Sequence, residues 1–358
     1  MNNSKNVLHY MFGKGALDNL SSILDSRNIK DGYVVYFVDT YFRGKELVKR
    51  FPLKEEDELI FIDTKEEPKT DNIDKIKDNL VAKQKQKPQA IIAIGGGATL
   101  DTGKAIANLL TNPGKAEDYQ GWDLVKNPAV YKIGIPTLSG TGAEGSRTCV
   151  MTNAKTGLKL GMNSDFTIYD QLILDPELTA TVPREQYFYT GMDTYIHCIE
   201  SLNGRYRNAI GDAYAKQAIE LCREVFLSDN MMSDENREKL MIASYLGGCS
   251  IANSFVGVIH PFSAGLSVVL GTHHCLGNCI TMNAMEEFYP SEYKEFMKMA
   301  KKQNIEIPKG LASDLDTETY QKLYNATVIH EKPLSNALGD DFKKVLTLEK
   351  VTEVFKRM

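Results

Sequence analysis

The chain changes character once, near residue 182, and that change constrains its fold more than any other feature. Before it, β-branched and aromatic runs at 33–38, 58–62, 90–94 and 131–135 alternate with helical patterns at 44–51, 72–85 and 100–110. Strands separated in this way by helices form a parallel sheet with crossover connections, so residues 1–182 are expected to be a doubly wound α/β domain. After Asp175-Pro176 and Pro183 the strand signals fade. Helical periodicities then run over 184–202, 209–226, 235–254 and 345–356, and they make residues 183–358 an all-α domain.

The 358 residues, 42% hydrophobic and 25% charged, are enough for two cores. A net charge of −5 weighs against nucleic acid or an anionic membrane surface as the partner and points to a small molecule. Residues 240–285 contain no Asp, Glu, Lys or Arg, but Gly247-Gly248, Asn253, Ser254 and His260-Pro261 break the run too often for a lipid-facing span. It reads as buried helices. The six cysteines form no CxxC pair and sit mostly in apolar segments, as reduced thiols of a cytoplasmic protein would. The first six residues lack the basic-then-apolar layout of a signal peptide.

Four side chains carry the chemistry. Asp193 and His197 are four apart in a helical pattern, which puts both on one face, a turn apart. His260 and His274 lie in the uncharged stretch, where an imidazole is enclosed. A lone histidine on an apolar helix is more often a core residue than a ligand. One carboxylate and three imidazoles together suit a divalent ion, Fe²⁺ or Zn²⁺, with a position left for a substrate oxygen.

The turn Gly95-Gly96-Gly97-Ala98-Thr99-Leu100-Asp101 follows a strand and opens a helix, where bare amides and the helix dipole can hold a pyrophosphate. A tight structural turn is the competing reading. Asp39 ends an earlier strand, where a carboxylate accepts from ribose hydroxyls and repels a 2′-phosphate, so NAD is favoured over NADP. A second loop, Pro136-Thr137-Leu138-Ser139-Gly140-Thr141-Gly142-Ala143-Glu144, supplies hydroxyls after another strand.

As a set, these motifs resemble the iron-dependent (group III) alcohol dehydrogenases over nearly the whole chain. The family's GGGSxxDxxK matches Gly95–Lys104, its PTTAGTGSE matches 136–144, its DPxL matches Asp175–Leu178, and its TGMDxxxHxxE matches Thr190–Glu200. The resemblance implies metal ligands at Asp193, His197, His260 and His274. It implies NAD contacts at Asp39, Gly96, Gly97, Ala98, Asp101, Thr137, Thr141 and Lys159, and a homodimer of the architecture shared with dehydroquinate synthase. The reaction it implies is hydride transfer from a primary alcohol to NAD, with the cation easing loss of the hydroxyl proton. Where members commonly read HxxxH, this chain has His260 followed by Ala264; His273, in the usual proline position, is a candidate for the missing imidazole. Within the family, the chain is most similar to members that oxidise C8 of the sugar acid 3-deoxy-D-manno-octulosonate (Kdo) before an aminotransferase acts, in lipopolysaccharide sugar modification. Arg147, Arg205 and Arg207 are candidates to meet such an acid. A small diol or aldehyde, or a module that senses nucleotide or metal without turnover, are the alternatives.

Overall fold

A computed structural model describes residues 5–29, 32–83 and 86–358, so residues 84 and 85 of the expected 72–85 helix, and part of the N-terminal stretch, lie outside the described residues. The chain divides into two compact units: residues up to Leu138 with Ala143–Thr181, and Val182–Met358 with the short segment Ser139–Gly142.

The first unit holds nine strands among the described residues: β1 (His9–Phe12), β2 (Val34–Asp39), β3 (Glu58–Ile62), β4 (Ala90–Gly95), β5 (Gly121–Trp122), β6 (Tyr131–Pro136), β7 (Thr148–Thr152), β8 (Lys159–Asn163) and β9 (Gln171–Leu174). Six form one sheet in the order β1-β9-β6-β4-β2-β3, parallel throughout. Its central strands are apolar along their length because helices cover both faces, and β4 is buried at every residue. Helices α1 (Leu20–Ser26), α2 (Glu46–Lys49), α3 (Thr70–Lys83) and α4 (Gly97–Leu109) make the connections. The chain passes from β2 outward to β3 and then returns to place β4 on the other side of β2. The C-terminal ends of β2 and β4 therefore flank the switch point at which open α/β sheets bind ligands. A smaller sheet, β5-β8-β7, adds an antiparallel pair between β7 and β8.

The second unit is helical: α5 (Arg184–Leu202), α6 (Ala209–Phe226), α7 (Asp234–Ser254), α8 (Ile259–Leu270), α9 (His274–Met282), α10 (Pro290–Lys302), α11 (Thr317–Val328), α12 (Glu331–Leu338), α13 (Phe342–Val345) and α14 (Leu348–Lys356). Helix α7 starts where Ser233 accepts from the Asn236 amide, with Asp234 and Glu235 favourably placed in its first turn. It ends at Phe255, whose φ of 63° turns the chain into α8. Phe188, Phe226, Phe262, Phe296 and Phe355 anchor one core. Among the described residues no single helix is long and apolar enough to cross a membrane.

The segment Ser139–Gly142 packs into this helical unit through its backbone. The Gly140 amide donates to Ser244 Oγ at 2.7 Å, and Thr194 Oγ1 donates to the Gly140 carbonyl at 2.8 Å. A Cβ at Gly140, where φ is +149°, would stand 1.6 Å from the Thr190 carbonyl oxygen, so only glycine fits.

Candidate active site

Asp193, His197 and Glu200 lie at positions i, i+4 and i+7 of α5 and so share one buried face. His260 comes from the first turn of α8 and His274 from the first residue of α9. Asp193 Oδ1 lies 3.7 Å from His197 Nε2 and 3.4 Å from His260 Nε2, and Asp193 Oδ2 lies 3.5 Å from His274 Nε2. One ligand atom from each of the four residues lies within 4.8 Å of every other. The rings of His197 and His260 stack, with centroids 4.5 Å apart.

These separations are long for hydrogen bonds, yet they suit donors arranged around an ion. Ligand atoms about 2.1 Å from a tetrahedral cation stand about 3.4 Å from one another. The residues present therefore fit a divalent metal.

The electrostatics agree. Burial alone would raise the Asp193 carboxyl, but His197, His274 and His260 around it hold it below the ordinary carboxylate value. Burial lowers His197 to about 4, which leaves a neutral imidazole at pH 7. Burial would also lower His260, but Glu200 and Asp193 outweigh it and raise the group to about 9.

Two residues here were not singled out from the sequence. Glu200, fully buried, accepts from His260 Nδ1 through Oε2 and from the Ile259 amide through Oε1, so it both orients a ligand and caps α8. Its signal was the 193/197/200 spacing. Asn278, one turn beyond His274, donates from Nδ2 to Asp193 Oδ1 at 2.6 Å. Ala264 lies one turn beyond His260 and is buried. His273, by contrast, is exposed at the N-cap of α9.

In the α/β unit, Asp39 ends β2 beside Gly95 at the end of β4, since Val38 pairs with Ile94. Gly96 is the N-cap of α4, Gly97 and Ala98 form its partly exposed first turn, and the Thr137 amide donates to the Gly95 carbonyl at 3.0 Å. The structure thus brings Asp39, Gly96, Gly97, Ala98 and Thr137 to one sheet edge at the switch point, where open α/β sheets bind ligands. A Cβ on Gly96 would stand 2.7 Å from Leu138 Cδ1, so that glycine also serves packing.

Other residues of the expected set are differently engaged. Asp101 Oδ2 accepts from the Val150 amide at 2.9 Å, and enclosure lifts its carboxyl to about 6. Lys104, fully buried, donates to the carbonyls of Ser146 and Thr148. These two side chains tie α4 to the 146–150 segment. Lys159 Nζ is 3.0 Å from Glu67 Oε1. Thr141 belongs to the segment that joins the helical unit. Arg147 pairs with Asp123 and Asp165, Arg205 with Asp340, and Arg207 with Asp212. All three arginines are engaged with carboxylates.

Two family models match, "Iron-containing alcohol dehydrogenase" over residues 8–176 and "Fe-containing alcohol dehydrogenase family, C-terminal" over residues 187–330. The chain is 38% identical over 190 residues to sulfoacetaldehyde reductase of Bilophila wadsworthia, a match that takes in 52% of this chain and about half (49%) of that one. It is 29% identical over 277 residues to the NAD-dependent methanol dehydrogenase of Bacillus methanolicus, covering 76% and 72% of the two chains. The solved alcohol dehydrogenase from Oenococcus oeni has the same fold, with a TM-score of 0.85 over 99% of both chains at 21% identity. So does sulfoacetaldehyde reductase from Bifidobacterium kashiwanohense, solved with NAD⁺, with a TM-score of 0.79 over 99% of this chain and 98% of that one at 20% identity. The chain belongs to the iron-containing alcohol dehydrogenase family, oxidoreductases that act on CH–OH groups with NAD and a divalent metal.

Proposed function

We propose that this chain oxidises a primary alcohol to an aldehyde, with NAD⁺ taking up hydride and one proton leaving to water. Asp193, His197, His260 and His274 hold Fe²⁺ or Zn²⁺. Asp39, Gly96, Gly97, Ala98 and Thr137 bind NAD. The observation that carries the reading is the 3.4–3.7 Å spacing of three imidazole nitrogens about one buried carboxylate. A cation bound there makes the alcohol a stronger acid and, in the reverse direction, polarises the carbonyl.

The chain's own residues do the rest. Glu200 keeps His260 turned so that Nε2 faces Asp193. The neutral His197 offers a lone pair at pH 7. Ala264 supplies no imidazole for the outgoing proton, and His273, exposed to water beside His274, is the candidate for that task.

The substrate we favour is the C8 hydroxyl of the sugar acid Kdo, on the strength of the sequence resemblance and of Ala264, a small side chain one turn from His260 where members commonly carry a second imidazole. Amino-group transfer is the class of reaction that would consume the C8 aldehyde. A second reading, reduction of a short anionic aldehyde, is supported by the 38% identity to sulfoacetaldehyde reductase. Metal-loaded protein would be incubated with NAD⁺ and Kdo, and separately with NADH and sulfoacetaldehyde. A C8 aldehyde supports the first reading and NADH consumption the second. Turnover of simple diols alone would defeat both, and tight NAD binding without redox change would favour a sensor.

We further place the enzyme in the cytoplasm, supported by six buried cysteines that form no disulfide. A homodimer is the assembly we infer. Leu8, Tyr10 and Phe12 are exposed at the edge strand β1 and its approach, and such an edge is a template for pairing with a second copy. Light scattering that gives the mass of one chain would refute it.

A further inference from the structure

One turn of α9 reaches both oxygens of Asp193. Asn278 Nδ2 donates to Oδ1 at 2.6 Å, and Cys275 Sγ lies 3.6 Å from Oδ2 as a thiol donor. The same helix supplies His274, so residues 274, 275 and 278 all converge on one carboxylate. Asn278 is fully buried, and its nitrogen also stands 3.2 Å from His260 Nε2 and 3.4 Å from His274 Nε2. Its carbonyl Oδ1 is buried with no hydrogen-bond partner. An amide that leaves its own acceptor unsatisfied while its donor faces three ligand atoms is held there by the ligands. The fold keeps this arrangement despite that cost.

We infer that Asn278 and Cys275 are positioning residues for Asp193: they fix the plane of its carboxylate, draw charge from each oxygen, and thereby set the affinity and coordination geometry of the metal site. A carboxylate without these donors could rotate about its Cβ–Cγ bond and offer a different oxygen, or both, to the ion. Outer hydrogen bonds of this kind commonly tune metal affinity by about 10–100-fold. Cys275 is the softer half of the pair, because a thiol is a weak donor. This inference rests on the four-ligand reading of the site.

The test uses the full chain, Zn²⁺ affinity by chelator competition, and the visible spectrum of the Co²⁺-loaded protein, which responds to ligand arrangement. Asn278→Leu keeps the side-chain volume and removes the donor. It should weaken Zn²⁺ binding by about 10–100-fold and alter the Co²⁺ spectrum. Cys275→Ala should cost less than about tenfold, and Cys275→Ser, which keeps a donor, should restore the loss. Parent-like Zn²⁺ affinity and an unchanged Co²⁺ spectrum in both donor-free variants would overturn the inference. If Asn278→Leu does not fold, Cys275→Ala against Cys275→Ser decides the matter alone. His260→Ala serves as the reference: if it retains a full equivalent of Zn²⁺, the four-ligand reading fails, whereas its loss of metal beside an unaffected Asn278→Leu and Cys275→Ala sinks only the positioning role.

Discussion

His260 donates from Nδ1 to Glu200 Oε2 while its Nε2 faces Asp193 Oδ1 at 3.4 Å, so one imidazole is held between two fully buried carboxylates. The first bond orients the ring, and with the group raised to about 9 a bound ion would displace the proton from Nε2. Glu200→Gln preserves length but removes the charge and one acceptor. It should weaken metal binding by about 10–100-fold, measured by chelator competition on the metal-loaded protein. His260→Ala removes a ligand outright, and elemental analysis should find the metal lost.

The segment Ser139–Gly142 reaches α7 through two glycines. A Cβ on Gly248 would stand 2.2 Å from the Gly142 carbonyl oxygen, a contact that backbone cannot relieve without moving. Gly248→Ala should therefore destabilise the protein by about 1–3 kcal/mol, as overpacking does. Urea unfolding followed by circular dichroism would show it. A midpoint unchanged from the parent would mean that the loop yields freely.

What the sequence revealed, and what it did not, follows the range of the interactions involved. Strands β2, β3, β4 and β6 stood out because each is a continuous apolar or β-branched run, and α5 and α6 because their periodicity is long. Strands β1 and β9, each four residues, carry too little pattern to separate from loop, yet they extend the sheet beyond β6. The four candidate ligands were legible because two share a helix face and two stand in an uncharged stretch. Asn278 and Cys275 were not, since their meaning lies in a contact from α9 to Asp193, more than eighty residues away in the chain. Residues of the glycine-rich motif split for a similar reason: Gly96 and Gly97 lie at the sheet edge, whereas Asp101 turns its carboxylate to the Val150 amide.

Lys132 offers a pH test of burial. Its ammonium donates to the Phe166 carbonyl at 3.0 Å and lies 3.5 Å from Asp170 Oδ2, but burial dominates and lowers the group to about 8 from 10.5. Between those values the unfolded chain binds the proton and the folded chain does not, so this group's contribution to stability rises with pH across that window. The full span is about 3 kcal/mol, at 1.36 kcal/mol per pH unit. Urea unfolding at pH 8 and pH 10, with parent compared against Lys132→Met, should show that the variant lacks this rise. Identical pH slopes in the two proteins would remove Lys132 as its source.

Ala264 tests the substrate. It lies one turn beyond His260 on α8 and is buried, so a side chain placed there fills space beside the ligand rather than projecting into water. Ala264→His restores the imidazole common in the family and at the same time narrows that space. If the alanine makes room for a polyhydroxylated acid, the variant should lose kcat/KM on Kdo. It should gain it on a small linear alcohol such as propane-1,3-diol, by up to about 10²-fold if the new ring takes over proton transfer. The ratio of the two kcat/KM values, measured on metal-loaded parent and variant, separates these effects from any general loss of fold or metal, which would lower both together. A ratio that does not move would show that residue 264 neither shapes the pocket nor substitutes for a proton carrier, and the preference for a bulky sugar acid would then lose its support.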